Sequence, residues 1–141
     1  MRKLCLFVLG CCAGSVLAGQ VEISNATVRQ PLPGKTLSAG YFSVKNNGSQ
    51  TIALVAVTSS QFDSVELHTH QMTDGMMQMV EVEHFEVSAG QSVHLQPGGL
   101  HLMLFGPTAP IQVGQQVPLQ LRWSDGTTQS VQANVTRIPK Q

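Results

Sequence analysis

At 141 residues, with 8 Lys and Arg against 8 Asp and Glu, the chain is formally neutral, and only 11% of it is charged. No basic patch of the kind nucleic acid requires is visible, nor any internal repeat or low-complexity tract, so the length suits one domain with a single core. Low charge and a 5% aromatic content also speak against a large polar substrate cleft.

The first element is a leader. Met1-Arg2-Lys3 gives a short basic head, Leu4 to Ala18 an apolar run, and Val16-Leu17-Ala18 a small-residue end, so residues 1–18 are expected to be a secretory signal cut near Ala18-Gly19. The run is too short and too rich in small residues for a membrane span of about 20 apolar residues, and no later segment comes closer. Val8-Leu9-Gly10-Cys11 offers a lesser alternative, a loose lipoprotein signal in which Cys11 would be lipidated and kept. All three cysteines, Cys5, Cys11 and Cys12, lie in this leader. Cleavage at Ala18 therefore leaves residues 19–141 with neither thiol nor disulfide, which excludes a blue-copper electron-transfer centre because that needs a Cys thiolate.

From Val21 onward the chain alternates in short β-branched runs, with no apolar period of 3.6 residues long enough for a helix. Strands are expected near 21–28, 39–45, 52–59, 64–70, 76–83, 92–95, 100–105, 117–123 and 129–135. Pro33-Gly34, Asn47-Gly48, Asp74-Gly75, Pro97-Gly98-Gly99 and Asp125-Gly126 supply the turns between them. About nine short strands at this spacing predict an all-β, antiparallel sandwich or Greek-key barrel.

Four residues on these strands form a soft-donor pattern: His68, ten residues, Met79, twenty-one residues, then His101-Leu102-Met103. Thioether and neutral imidazole together suit Cu(I), a soft ion that accepts sulfur donors harder ions decline. Side chains on a strand alternate between faces. Val65 and Leu67 share one face of their strand, which leaves Glu66, His68 and His70 on the other; Val80 and Val82 likewise leave Met77, Met79, Glu81 and Glu83. Leu100, Leu102 and Leu104 claim the core and turn His101 and Met103 away from it.

A four-residue loop 72–75 puts His68 opposite Met79, whereas a two-residue Asp74-Gly75 turn puts His70 there and His68 opposite Glu81; the sequence leaves both registers open. Whether the His101 strand lies beside this hairpin is also open. Met72, Met76 and Met77 are expected to pack or simply to be exposed, and His84 and His94 to be surface residues. Glu66, Glu81 and Glu83 read as a solvated face, from which a carboxylate could orient a ligating imidazole. No Ser, His and Asp arrangement with a hydrolytic motif is present, so an enzyme is not expected.

The spacing His-x10-Met-x21-His-x-Met resembles the signature of the periplasmic copper chaperones of the PCu(A)C family. The likeness extends through Val28-Arg29-Gln30-Pro31, Ala39-Gly40-Tyr41-Phe42, Asn46-Asn47-Gly48, Val65-Glu66-Leu67-His68, Ser88-Ala89-Gly90 and Pro97-Gly98-Gly99-Leu100-His101-Leu102-Met103, and covers about Val21 to Val135. The resemblance implies a cupredoxin-like β-sandwich, a periplasmic and monomeric carrier, and Cu(I) held by His68, Met79, His101 and Met103. It also implies delivery to a copper-accepting partner such as a cytochrome c oxidase subunit or a thiol-containing assembly factor; a copper buffer or resistance protein would carry the same site. This chain departs from the family in two places. His70 stands where members often have Met, which makes it a candidate accessory ligand with some affinity for Cu(II), and the His- and Met-rich tail of some members has no counterpart after Val135.

Overall fold

In the computed structural model, which describes residues 20–139, alternation and turn chemistry produce ten strands and no helix. They are β1 (Val21–Arg29), β2 (Leu37–Asn46), β3 (Ile52–Thr58), β4 (Phe62–Thr73), β5 (Met76–Glu81), β6 (Phe85–Val87), β7 (Ser92–His94), β8 (His101–Pro107), β9 (Gln116–Trp123) and β10 (Thr128–Thr136). The segment expected to be a leader, with its three cysteines, lies outside the described residues.

The strands hydrogen-bond in the order β5-β4-β8-β2-β1-β10-β9-β3-β6, with β7 paired to β2. β3 and β4 stand near opposite ends of that order, yet only residues 59–61 join them. The sheet must therefore fold back on itself, and its two halves close over one apolar core, the cupredoxin-like arrangement. Leu67, Leu102 and Leu104 reach that core from β4 and β8; Leu54, Leu119, Leu121 and Trp123 reach it from β3 and β9.

Two features differ from the sequence reading. β1 and β10 run parallel, with Thr27 opposite Asn134 and Val28 opposite Val135. Nothing local signals such a pair, because it joins strands from the two ends of the chain, and it makes the otherwise antiparallel sheet mixed. The tenth strand, β6, is only three residues long and leans on β3 through Ile52 and Val87. Three residues are too few to show an alternating pattern.

Alternation on β8 fixes the face on which the candidate donors stand. Leu102 and Leu104 are completely buried. A one-residue slip would turn both outward at roughly 1.5–3 kcal/mol each, so His101 and Met103 are held to the opposite side. The β4–β5 hairpin is pinned by its turn: Asp74 has φ 51° and Gly75 φ 78°, the left-handed pair of a two-residue type I′ turn, whose twist matches the strands it joins. That selects the register with His70 opposite Met79 and His68 opposite Glu81.

At the other end of the sheet the buried Asn46 side chain donates to the carbonyls of Gln50 (2.7 Å) and Val87 (2.9 Å) and accepts from the Gly48 amide (2.9 Å). Asn46→Ala strands these groups in a buried place, which costs about 1–3 kcal/mol. The urea midpoint should fall accordingly; an unchanged midpoint would show that water replaces the amide at no cost.

Candidate metal centre

β4 lies between β5 and β8, so the hairpin and the His-x-Met strand are direct neighbours, the adjacency the sequence left open. Across the β4–β8 ladder His68 faces His101, and Glu66 faces Met103. Across the β4–β5 ladder His68 faces Glu81, and His70 faces Met79. Met103 in turn faces Ala39 of β2. The four expected donors thus occupy one face of three adjacent strands, with the histidines side by side in the middle and the methionines at diagonal corners. His70 lies inside the same patch. Its ring centroid is 5.5 Å from that of His101, while the His68 and His101 centroids are 6.0 Å apart.

Hydrogen bonds settle which ring nitrogens are available. His101 Nδ1 lies 2.8 Å from the Gly99 carbonyl, which can only accept, so Nδ1 carries the proton and Nε2 keeps its lone pair. His68 Nε2 lies 2.8 Å from a Glu66 carboxylate oxygen. A neutral His68 donates there and leaves Nδ1 with the lone pair. That Nδ1 is buried and has no hydrogen-bond partner, a condition that ordinarily costs about 1–3 kcal/mol. Backbone carbonyl and carboxylate are the partners that orient ligating imidazoles in metal proteins. Of the two, Glu66 was visible in the sequence as a polar-face residue; Gly99 was not, because Pro97-Gly98-Gly99 reads only as a turn.

Burial falls steadily across the patch. His101 is 4% exposed, the His68 side chain 14% and Met79 47%. The face turned away from the leucine core is therefore not simply solvated: His101 is buried there, beside the rings of His68 and His70. Met103, half-buried, lines an open cavity of about 410 Å³ with Leu32, Leu37 and Ile138 as its apolar walls and Arg29 and Lys35 at its polar edge. Met72, Met76 and Met77 are all more than 60% exposed, so of the two expectations, packing or exposure, it is exposure that the structure shows. His84 is exposed, and His94, also exposed, bonds Ser43 Oγ at 2.8 Å. Among the described residues no group of three or more His, Cys, Asp or Glu is drawn together as a metal site. A metal in this patch would depend on methionine sulfur.

Burial holds the His101 imidazole below its ordinary pKa of 6.5; the Gly99 carbonyl opposes this, and the nearby His70 and His68 reinforce it. The folded chain thus refuses a proton that the unfolded chain accepts. This contribution to stability is full above pH 6.5 and is lost as the pH falls below it. The metal-free protein should show a falling urea midpoint on acidification, with a shallower slope for His101→Gln. A wild-type midpoint that rises over the same range contradicts the assignment.

Comparison with known proteins places the chain in a family. Residues 21–135 match the profile described as "Putative lipoprotein LpqE-like". "Putative lipoprotein Lxx21020" of Leifsonia xyli subsp. xyli (strain CTCB07) is 40% identical over 115 residues, which cover 81% of this chain and 68% of that protein. "Uncharacterized protein RP573" of Rickettsia prowazekii (strain Madrid E) is 28% identical over 99 residues, 70% of this chain and 55% of its own length. Among solved structures, the solution structure of CuI-DR1885 from Deinococcus radiodurans is similar at a TM-score of 0.65 and 30% identity, over 89% of this chain and 83% of that one. The copper-bound PCuAC domain from PmoF2 shares the fold at a TM-score of 0.73 and 23% identity, over 85% of this chain and 95% of that domain. The chain belongs to the LpqE-like family, on a fold it shares with PCuAC domains.

Proposed function

We propose that the protein is an exported copper carrier that binds one Cu(I) through His68, Met79, His101 and Met103 and passes it to a partner. The observation that carries this reading is the pair of imidazole lone pairs, His68 Nδ1 and His101 Nε2, fixed by Glu66 and Gly99 on a face that also bears two thioethers. His68 Nδ1 is buried without a partner, and a soft cation supplies one. The copper-bound states of DR1885 and of the PmoF2 domain lend the metal support.

All four donors are neutral, so the ion keeps its single positive charge and no thiolate binds it irreversibly tightly. Imidazole and thioether favour Cu(I) over harder ions, and the leucines behind β4 and β8 hold the donors in place before metal arrives. Release follows the exposure gradient. Met79, on the edge strand β5 and half exposed, is the donor an incoming ligand reaches first, while His101 lies at the bottom. A partner with thiolates, which bind Cu(I) more strongly than thioethers, can replace the donors in that order. Delivery to the copper centre of cytochrome c oxidase, directly or through a thiol-containing assembly factor, is the destination we favour. Such a task calls for a carrier without catalytic groups.

Export rests on the leader, and its form can be decided. Relatives described as lipoproteins favour the reading of Val8-Leu9-Gly10-Cys11 in which Cys11 is lipidated. Cys11→Ser should then move the protein from the membrane fraction to the soluble one; an unchanged soluble distribution supports cleavage at Ala18.

Competition against a chromophoric Cu(I) chelator tests the site. Met79→Leu and Met103→Leu keep the apolar volume and remove sulfur, and each should weaken Cu(I) binding. Glu66→Gln, which weakens the anchor of His68, should cost about 10–100-fold in affinity. Unchanged affinity in both methionine variants overturns the ligand set.

A further inference from the structure

The β4–β5 hairpin carries more soft donors than one copper site needs. Beyond the pair His70–Met79, the next pair on the same face is Met72 opposite Met77. The Val82 amide donates to the Leu67 carbonyl at 2.9 Å, which marks Leu67 and Val82 as a hydrogen-bonded pair. Alternation then makes His68–Glu81, His70–Met79 and Met72–Met77 the non-hydrogen-bonded pairs, in which opposed Cα atoms approach to about 4.5 Å. Every donor on this hairpin face therefore stands where cross-strand side chains lie closest. Consecutive pairs on one face are separated by about 6.6–6.8 Å along the strand, within the span of two methionine side chains and an imidazole.

Exposure makes the same point. Met72 is 62% and Met77 61% exposed, so neither fills the core, the usual task of methionine. Met76, 65% exposed, pairs with Thr73 and points to the other face. We propose that Met72, Met77 and His70 form a second, weaker Cu(I) site at the hairpin tip, further out than the site of His68, Met79, His101 and Met103. This inference rests on the copper reading of that inner site. It gives His70 a place: beside Met79 across the ladder and 5.5 Å from His101, it stands between the two sites. Two thioethers and one imidazole, all neutral, again select a soft monovalent ion, and with no buried member they hold it less tightly.

Cu(I) titration of the full chain, followed by the methyl resonances of its methionines, tests the proposal. The first equivalent should shift Met79 and Met103, and the second should shift Met72 and Met77. The double variant M72L/M77L keeps the apolar surface but should lose the second equivalent while retaining the first, and H70Q should weaken the second. Met72 and Met77 resonances unmoved through the second equivalent, or a second equivalent undiminished in M72L/M77L, overturn the tip site and leave the inner one standing. Met79 and Met103 resonances unmoved by any addition would instead overturn the inner site.

Discussion

The period-two alternation of a strand, locked by buried leucine, is the constraint on which everything else depends. Leu67 of β4 and Leu102 and Leu104 of β8 are drawn into the core, and each fixes the opposite direction for its neighbours. His68, His101 and Met103 take their face of the sheet from that alternation, and the hydrogen bonds of the two rings only orient them there. The hairpin obeys the same rule through a different agent, since the left-handed Asp74-Gly75 turn sets its register before any side chain of the patch is placed. Because apolar packing of several kcal/mol holds the frame, the donors can remain neutral and weakly engaged with one another.

That weak engagement is chemically useful. Burial, with His70 and His68 at centroid distances of 5.5 and 6.0 Å, keeps the His101 ring neutral at a pH where a free imidazole takes a proton. A neutral imidazole is also the form that binds metal. Glu66 and the Gly99 carbonyl then choose, for each of the two central rings, the nitrogen that keeps its lone pair. The exposure gradient from His101 to Met79 adds an order to the site, with a fixed bottom and an accessible edge.

Much of this was legible in the sequence, and the limits have physical causes. Alternation placed His68, Met79, His101 and Met103 on non-core faces because each strand carries two or three apolar residues in phase. The β8–β4 ladder was not legible, since non-local pairing leaves no mark on local pattern; neither was the parallel β1–β10 pair. Of the two hairpin registers the shorter turn holds, which brings His70 rather than His68 opposite Met79 and gives an accessory candidate a definite position. The burial of His101 went unforeseen because parity tells which way a side chain points, not what lies on top of it. The rings of His68 and His70 beside it come from a neighbouring strand.

The central claim is that Cu(I) binds at His68 Nδ1 and His101 Nε2. Nitrogen NMR of the imidazole rings, recorded before and after one equivalent of Cu(I), reads those atoms individually. The account predicts that His68 Nδ1 and His101 Nε2 shift as their lone pairs are taken up, while His68 Nε2 and His101 Nδ1 remain protonated and hydrogen-bonded to Glu66 and Gly99. Copper-induced shifts at the opposite nitrogen of either ring, or confined to His84 and His94, would contradict it.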